Sequence, residues 1–413
     1  MTKSYQIKIP NASLSTGLLI AGLALSTTTQ AQLLYSITDL GANGYTEYRD
    51  INASGQMTGW RLTADNTRHA FVTNSSGEKI DLGTLALSRY EESYGMAINN
   101  AGQVTGNYAD YRRAFVTNSS GLVSDVGDLG GNSWRKTLAF GINNNGQVTG
   151  NSSVGDEIVI TPDPDTCNVV RGGSCDPITI PPAQHAFVTS SSGALIDLGT
   201  LGGRESTGVA INDAGLVVGN SEISTADATS HAFMTGNNLE LIDLGTLGGN
   251  RSQAYAINAS GQVTGWAETA EGRIRAFVTD SNGQMIDLHT LGDGSGTNAG
   301  SSNGKDINAA GQIVGEFTYG DGSGDHRAFV TENGNILDLN SLIYGDIAGW
   351  DLQTVYAIND AGQILGSGSR FFGGRNFLLT PISSAALPLP AAAWLFGISM
   401  IGLLGFKRKA LTV

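Results

Sequence analysis

Cysteine is nearly absent from this chain, with only Cys167 and Cys175 among 413 residues. A framework of several disulfides, the usual support of a small secreted domain, is therefore excluded. A cysteine-built zinc site is excluded too, because no further Cys or His lies near the pair in sequence. In an oxidising compartment the two cysteines are expected to form one disulfide that staples its own loop, with free thiols as the alternative. Proline is also sparse, and five of the nine (Pro162, Pro164, Pro177, Pro181, Pro182) crowd around that pair. Charged residues make up only 15%, against an average of about 25%. Cations are the scarcer sign, at 23 against 37 acidic residues. That balance repels nucleic acid and anionic membrane surfaces by non-specific electrostatics, and nucleic acid is not expected as a partner.

Glycine is abundant, 57 of 413, about twice the average usage of ~7%. Together with many Thr, Asn and Ser it favours turns and short strands over helices. The glycines are not scattered. The word Ile-Asn-x-x-Gly begins at Ile51, Ile98, Ile142, Ile211, Ile257, Ile307 and Ile358, at intervals of 47, 44, 69, 46, 50 and 51 residues. Gln follows that Gly in six of the seven copies, and a second Gly always comes four residues after the first. A period of this length is the mark of a repeat architecture. The one long interval holds the insertion, about residues 151–184, that carries the cysteines.

Two further words recur. The first is His/Arg-Ala-Phe-Val/Met-Thr, beginning at His69, Arg113, His185, His231, Arg275 and Arg327, with a worn copy at Arg375. The second is Asp-Leu/Val-Gly at Asp81, Asp125, Asp197 and Asp243, altered to Asp-Leu-His at Asp287 and Asp-Leu-Asn at Asp338. Each unit then predicts four short antiparallel strands, the Gly of x-x-Gly supplying the left-handed residue of a tight hairpin. Four strands in 45 to 50 residues describe a propeller blade. The seventh unit lacks its Asp-Leu-Gly strand, whereas the chain starts with an orphan one, Tyr35-Ser36-Ile37-Thr38-Asp39-Leu40-Gly41. The expected fold is all-β: a seven-bladed β-propeller of four-stranded blades, closed by that N-terminal strand completing the last blade. A β-solenoid is the runner-up, but it would leave the matching half-blades unused.

These words resemble the HAF repeat family, named for His-Ala-Phe, over nearly the whole region they span. The resemblance implies an extracellular β-rich protein and supplies no catalytic residues. Arg at four of the seven His positions speaks against a metal role for that column.

The two ends read as sorting segments. Residues 1–31 have the form of a signal peptide: Lys3 and Lys8, an apolar run from Leu14 to Leu25, and Thr29-Gln30-Ala31 before Gln32. The mature domain is expected over 32–385. In 386–413, Pro388-Leu389-Pro390 leads into an uncharged stretch ending at Phe406, and Lys407, Arg408 and Lys409 follow. By length and flanking charge this is a transmembrane helix. Its wording resembles the PEP-CTERM sorting signal of Gram-negative bacteria, with Leu389 in the place of the glutamate. The resemblance implies export, a transient inner-membrane anchor, cleavage by an exosortase near Pro388–Pro390, and release to the cell surface or outside the cell. The expected partners are the export machinery and an exosortase.

Candidate sites are few. The recurring Asn and Asp are expected to bond turn backbone groups. No nucleophile elbow, phosphate loop or zinc word stands out, so no catalytic residue, metal or cofactor is assigned. Asp293-Gly294-Ser295-Gly296 and Asp321 to Asp325 faintly suggest calcium loops but lack a downstream bidentate Glu, and solvated loops are the better reading. The departures from the repeat are aromatic. Trp60, Trp266, Trp134, Trp350, Tyr108 and Tyr111 are read as lying in the loops that share one propeller face, where they could bind a ligand or pack between blades. The expected function is a surface or matrix protein using a propeller as a binding or structural module for polysaccharide or protein. The alternative is a polysaccharide lyase or hydrolase, which would need acidic and basic groups converging at the central mouth.

Overall fold

The computed structural model describes residues 33–83, 92–108, 112–130, 136–160, 178–226, 229–291, 299–319, 325–345, 349–371 and 373–382. Seven four-stranded antiparallel sheets make the seven blades of a propeller. Blade 1 runs Thr46–Ile51, Met57–Leu62, Arg68–Thr73 and Lys79–Gly83, and the others repeat this order. Blade 3 carries an extra hairpin, Ile158–Ile160 with Ile178–Ile180. Cys167 and Cys175 lie outside the described residues, as do residues 1–32 and the segment from 383 onward. Among the described residues no helix is long and apolar enough to cross a membrane.

Closure follows the sequence expectation. Tyr35–Ala42 pairs antiparallel with Gly373–Pro381, Asp39 opposite Phe377, and completes blade 7 as its outermost strand. Asp39 accepts from Arg375 at 2.8 Å and from Arg370 at 3.1 Å. Those two arginines fix a strand that sequence separates from them by more than 330 residues.

The core lies between blades. Phe71, Phe115, Phe187, Phe233, Phe277, Phe329 and Phe377, one from each Ala-Phe word, are all essentially fully buried. Burying each such side chain contributes about 1.5–3 kcal/mol. The apolar clusters each span one interface. Tyr48, Ile51, Met57 and Phe71 of blade 1, for example, pack on Ala357 and Leu365 of blade 7. Among the described residues seven clusters serve seven interfaces.

The Ile-Asn words build a second, polar closure. Each asparagine donates from Nδ2 to the main-chain carbonyl of the corresponding asparagine in the next blade. The chain of bonds runs Asn52, Asn99, Asn143, Asn212, Asn258, Asn308, Asn359 and back to Asn52, with lengths from 2.9 to 3.3 Å. The Oδ1 of the same residue accepts turn amides, as from Ser54 and Gln56 onto Asn52. Its other Nδ2 hydrogen reaches the Gln four residues on in the six blades that have one. In those six blades the buried amide is thus saturated, which its burial demands.

Candidate functional site

The innermost strand of every blade is the one that ends in Ile-Asn, and each carries a β-bulge at the same place. The pairing register shifts around Arg49, Met96, Phe140, Val209, Tyr255, Lys305 and Tyr356. A bulge adds one residue against the partner strand and re-aims its side chain. Here all seven bulged residues line one central cavity of about 270 Å³.

The repeat word explains why the bulge is possible. The second Gly of each word faces the bulged strand at very short range. A Cβ on Gly59 would sit 1.9 Å from the Glu47 carbonyl oxygen, one on Gly150 1.8 Å from that of Leu138, and one on Gly265 1.9 Å from that of Gln253. Only glycine admits that approach.

The ring of bulged residues is divided in two. Tyr255, Lys305, Tyr356 and Arg49 come from blades 5, 6, 7 and 1, which are consecutive around the closed ring, and form a polar wall. Met96, Phe140 and Val209 from blades 2 to 4 form an apolar one. The polar wall is held from behind. Lys305 pairs with Glu316 at 3.0 Å and lies 5.4 Å from the Tyr255 ring centre. Arg49 pairs with Glu47. The Tyr356 hydroxyl meets Ser367 Oγ at 2.7 Å, and burial pushes its pKa up.

One residue further along each strand, five blades carry Ala97, Gly141, Ala210, Ala256 and Ala357, and two carry aspartate. Asp50 accepts from the amides of Ile51 and Ile98, and Asp306 from those of Ile307 and Ile358, all at 2.7 to 2.8 Å. Burial pushes Asp50 up to about 6, against the opposing pull of those two amides. Burial, with the nearby charges of Asp50 and Asp360, pushes Asp306 up to about 7. Beyond them, toward the asparagine ring, a second cavity of about 210 Å³ is edged by Asn100, Asn144, Asp213 and Asp360.

The aromatic residues singled out in the sequence fall elsewhere. Trp60 and Trp266 lie inside second strands, Met57–Leu62 and Val263–Thr269, and not in the loops after them, because those strands run on past the Gln-Val-Thr word. Trp350 likewise opens the first strand of blade 7. Trp60 is 8% exposed, packed between Arg68 at 5.0 Å and Tyr94 of the next blade at 6.3 Å. Trp350 lies edge-on to Phe377 at 6.1 Å, under Arg370 at 5.5 Å. Tyr108 ends a second strand, its hydroxyl on Asp125, and burial foremost pushes its pKa up to about 12. Trp134 and Tyr111 lie outside the described residues. So do Pro388, Leu389, Pro390, Lys407, Arg408 and Lys409, and residues 292–298 and 320–324 with the suspected calcium loops. Trp266 has a different link to the cavity: its Nε1 donates to the Tyr255 hydroxyl at 3.2 Å and so helps set a bulged side chain.

The histidine column is accounted for within each blade. His69 lies 3.1 Å from Asp81, His185 3.0 Å from Asp197 and His231 2.9 Å from Asp243, while Arg113 and Arg375 meet Asp125 and Asp39 in the same way. In these five blades the His/Arg-Ala-Phe and Asp-Leu-Gly words are thus the two halves of a cross-strand pair, whereas Arg327 meets Asp351 of blade 7 at 3.0 Å and Arg275 the Gly300 carbonyl of blade 6 at 3.1 Å. No sequence word marks the bulged residues, because they stand two places before Ile, where nothing repeats. The signal that could have found them was the second Gly, a glycine in mid-strand.

Residues 206–373, from blade 4 into blade 7, match a family described as "Protein of unknown function (DUF3466)". No curated protein matches the chain in sequence. Among solved structures, a puromycin hydrolase is similar at 11% identity and a TM-score of 0.51, over 79% of this chain and 50% of its own. A puromycin-hydrolyzing peptidase of Mycobacterium tuberculosis is similar at 11% identity and a TM-score of 0.49, over 82% and 53%. A streptogramin B lyase gives 10% identity and a TM-score of 0.44, over 84% and 98%. The chain spans about half the length of the two puromycin-hydrolysing proteins. At these identities the likeness is one of fold alone.

Proposed function

We propose that this is an exported, exosortase-processed surface or matrix protein whose propeller binds polysaccharide in its central channel. The observation that carries the binding half is the ring of bulged residues. Around it the repeat words hold each blade to one pattern, yet the seven side chains turned inward are Arg, Met, Phe, Val, Tyr, Lys and Tyr. A scaffold serving only itself has no use for an irregular lining divided into one polar and one apolar half. A sugar ring has the same division, hydroxyls at its edge and C–H groups on its face, and pockets commonly set a few polar groups in an apolar wall.

The test is a glycan array probed with the purified mature protein, followed by titration with any glycan retained. Arg49→Ala combined with Tyr356→Phe should weaken binding markedly, while Trp60→Ala should leave it unchanged in protein that remains folded. Retention of full affinity in the first variant refutes the channel. For the sorting half, mass spectrometry of surface material should place the C-terminus near Pro388–Pro390, and an intact Val413 refutes processing.

A second reading, a polysaccharide-active enzyme, draws on Asp50 and Asp306, two carboxyls of unequal raised pKa in one cavity. Such a pair suits acid and base roles at a glycosidic bond. Release of reducing ends from a retained glycan, abolished in Asp306→Asn, supports it; binding without turnover removes it.

A further inference from the structure

The chemistry of the channel narrows the ligand class further, on the premise that the channel binds saccharide. Three observations bear on it. The cavity of about 270 Å³ lies at the lower edge of the usual range for small-ligand pockets, ~300–1,000 Å³. It therefore suits one ring or a chain end, not a run of sugars. Its polar wall offers cations that are already paired, Arg49 with Glu47 and Lys305 with Glu316. Asp50 and Asp306 line the same cavity, and among the described residues their hydrogen-bond partners are backbone amides.

The charges around the two carboxyls make that arrangement costly. Arg49 and Lys305 stand on the bulge side, offset by their glutamates, with Tyr255 and Tyr356 beside them. Asp213 and Asp360 stand on the asparagine-ring side. None of these groups pairs with the two aspartates, which share a confined space. Five blades avoid the situation by placing Ala or Gly at the equivalent position.

We propose that the channel takes a ligand bearing a primary ammonium group, seated between Asp50 and Asp306: the amino-sugar unit of a de-N-acetylated polysaccharide. The C–H face of the sugar lies against Met96, Phe140 and Val209. Its hydroxyls meet Tyr255, Tyr356, Lys305 and Arg49. An opposite charge placed there favours the ionised form of both carboxyls. Since burial pushes these groups up to about 6 and about 7, part of the population is protonated near neutrality, and seating the ammonium group releases those protons to solvent.

The experiment is calorimetric titration of the full processed protein with three tetrasaccharides: glucosamine, N-acetylglucosamine and neutral cellotetraose. The glucosamine oligomer should bind at least about tenfold more tightly than either other. Its apparent enthalpy at about pH 5.5, where the ligand amines are already protonated, should depend on the ionisation heat of the buffer, with proton release, and its affinity should rise from about pH 4.5 to pH 6 as the carboxyls ionise. Asp50→Asn with Asp306→Asn should remove the preference and the proton release. If that variant does not fold, the proton release and pH profile of the unaltered protein still decide. Equal binding of cellotetraose overturns the ammonium assignment and leaves the channel reading standing. Binding of none of the three overturns it together with the saccharide premise. Competition by calcium ion at equal potency marks the pair as a metal site and overturns it as well.

Discussion

Asn359 donates through Nδ2 to the main-chain carbonyl of Asn52 at 2.9 Å, across the point where the last blade meets the first. It is the seventh bond of a ring whose other six join blades consecutive in sequence. This one spans 307 residues and exists only once the propeller has closed.

Asn359→Ala should therefore lower stability by about 1–3 kcal/mol, because it strands the buried Asn52 carbonyl and the turn amides of Ala361 and Gln363. Asn359→Asp keeps the turn acceptor but sets a buried carboxylate oxygen against the Asn52 carbonyl and Gln363 Oε1, so its effect should be at least as large. Urea unfolding of the three proteins, with m-values compared, checks the order. Equal stability of Asn359→Ala and the parent would show that the ring contributes nothing.

The mid-strand glycines give a second expectation. Gly150→Ala places a Cβ 1.8 Å from the Leu138 carbonyl oxygen, which forces either backbone movement or loss of the bulge at Phe140. Overpacking of this kind typically destabilises by about 1–3 kcal/mol. A fall in melting temperature, accompanied by weaker channel binding, is the expected result. Gly77→Ala, where a Cβ meets nothing within 4 Å but φ is +81°, should lower stability through the turn while sparing the channel.

The aspartates predict an unusual pH dependence. For Asp50 and Asp306 the folded-state pKa is raised to about 6 and about 7, above an unfolded value of about 3.9. Between those limits the folded state binds more protons than the unfolded one, so stability falls as pH rises through the window. Asp39 works the other way. Burial opposes its ionisation, but hydrogen bonds from Arg375, Gly41 and Arg370 outweigh it and hold the pKa below the usual range. Its contribution is present above about pH 3.9 and disappears as pH falls further. Melting temperature should thus decline from about pH 5 to pH 8, and Asp50→Asn with Asp306→Asn should flatten that decline. A parent curve that rises over the same range contradicts the assignment.

Removing residues 33–42 should expose the edge of Gly373–Pro381 along its full length. An unpaired edge is a template for another chain. The truncated protein is expected to form higher oligomers on size-exclusion chromatography, with loss of the cooperative unfolding of the parent. A monomer of unchanged stability would show that closure does not depend on that strand.

Much of the fold was legible because it is written seven times. The Ile-Asn-x-x-Gly word specifies a turn by φ alone, and Gly55, Gly102, Gly146, Gly215, Gly261, Gly311 and Gly362 all adopt positive φ, as a tight hairpin requires. The orphan Asp39-Leu40-Gly41 matched a missing partner and pairs where it was expected. Trp60 and Trp266 were misplaced because strand ends are set by pairing with a neighbour, which local pattern does not encode. The channel was invisible because Arg49, Val209 and Tyr356 share nothing as residue types.

The sequence by itself determined the number of blades, the position of the insertion and the manner of closure, since each depends on repetition and on which repeat is incomplete. Tertiary structure decided what lines the axis. Bulges at Arg49 and Lys305 turn distant side chains toward one cavity, and burial there changes the acidity of Asp50 and Asp306. Proximity and desolvation are properties of the closed ring, and no stretch of the chain carries them alone.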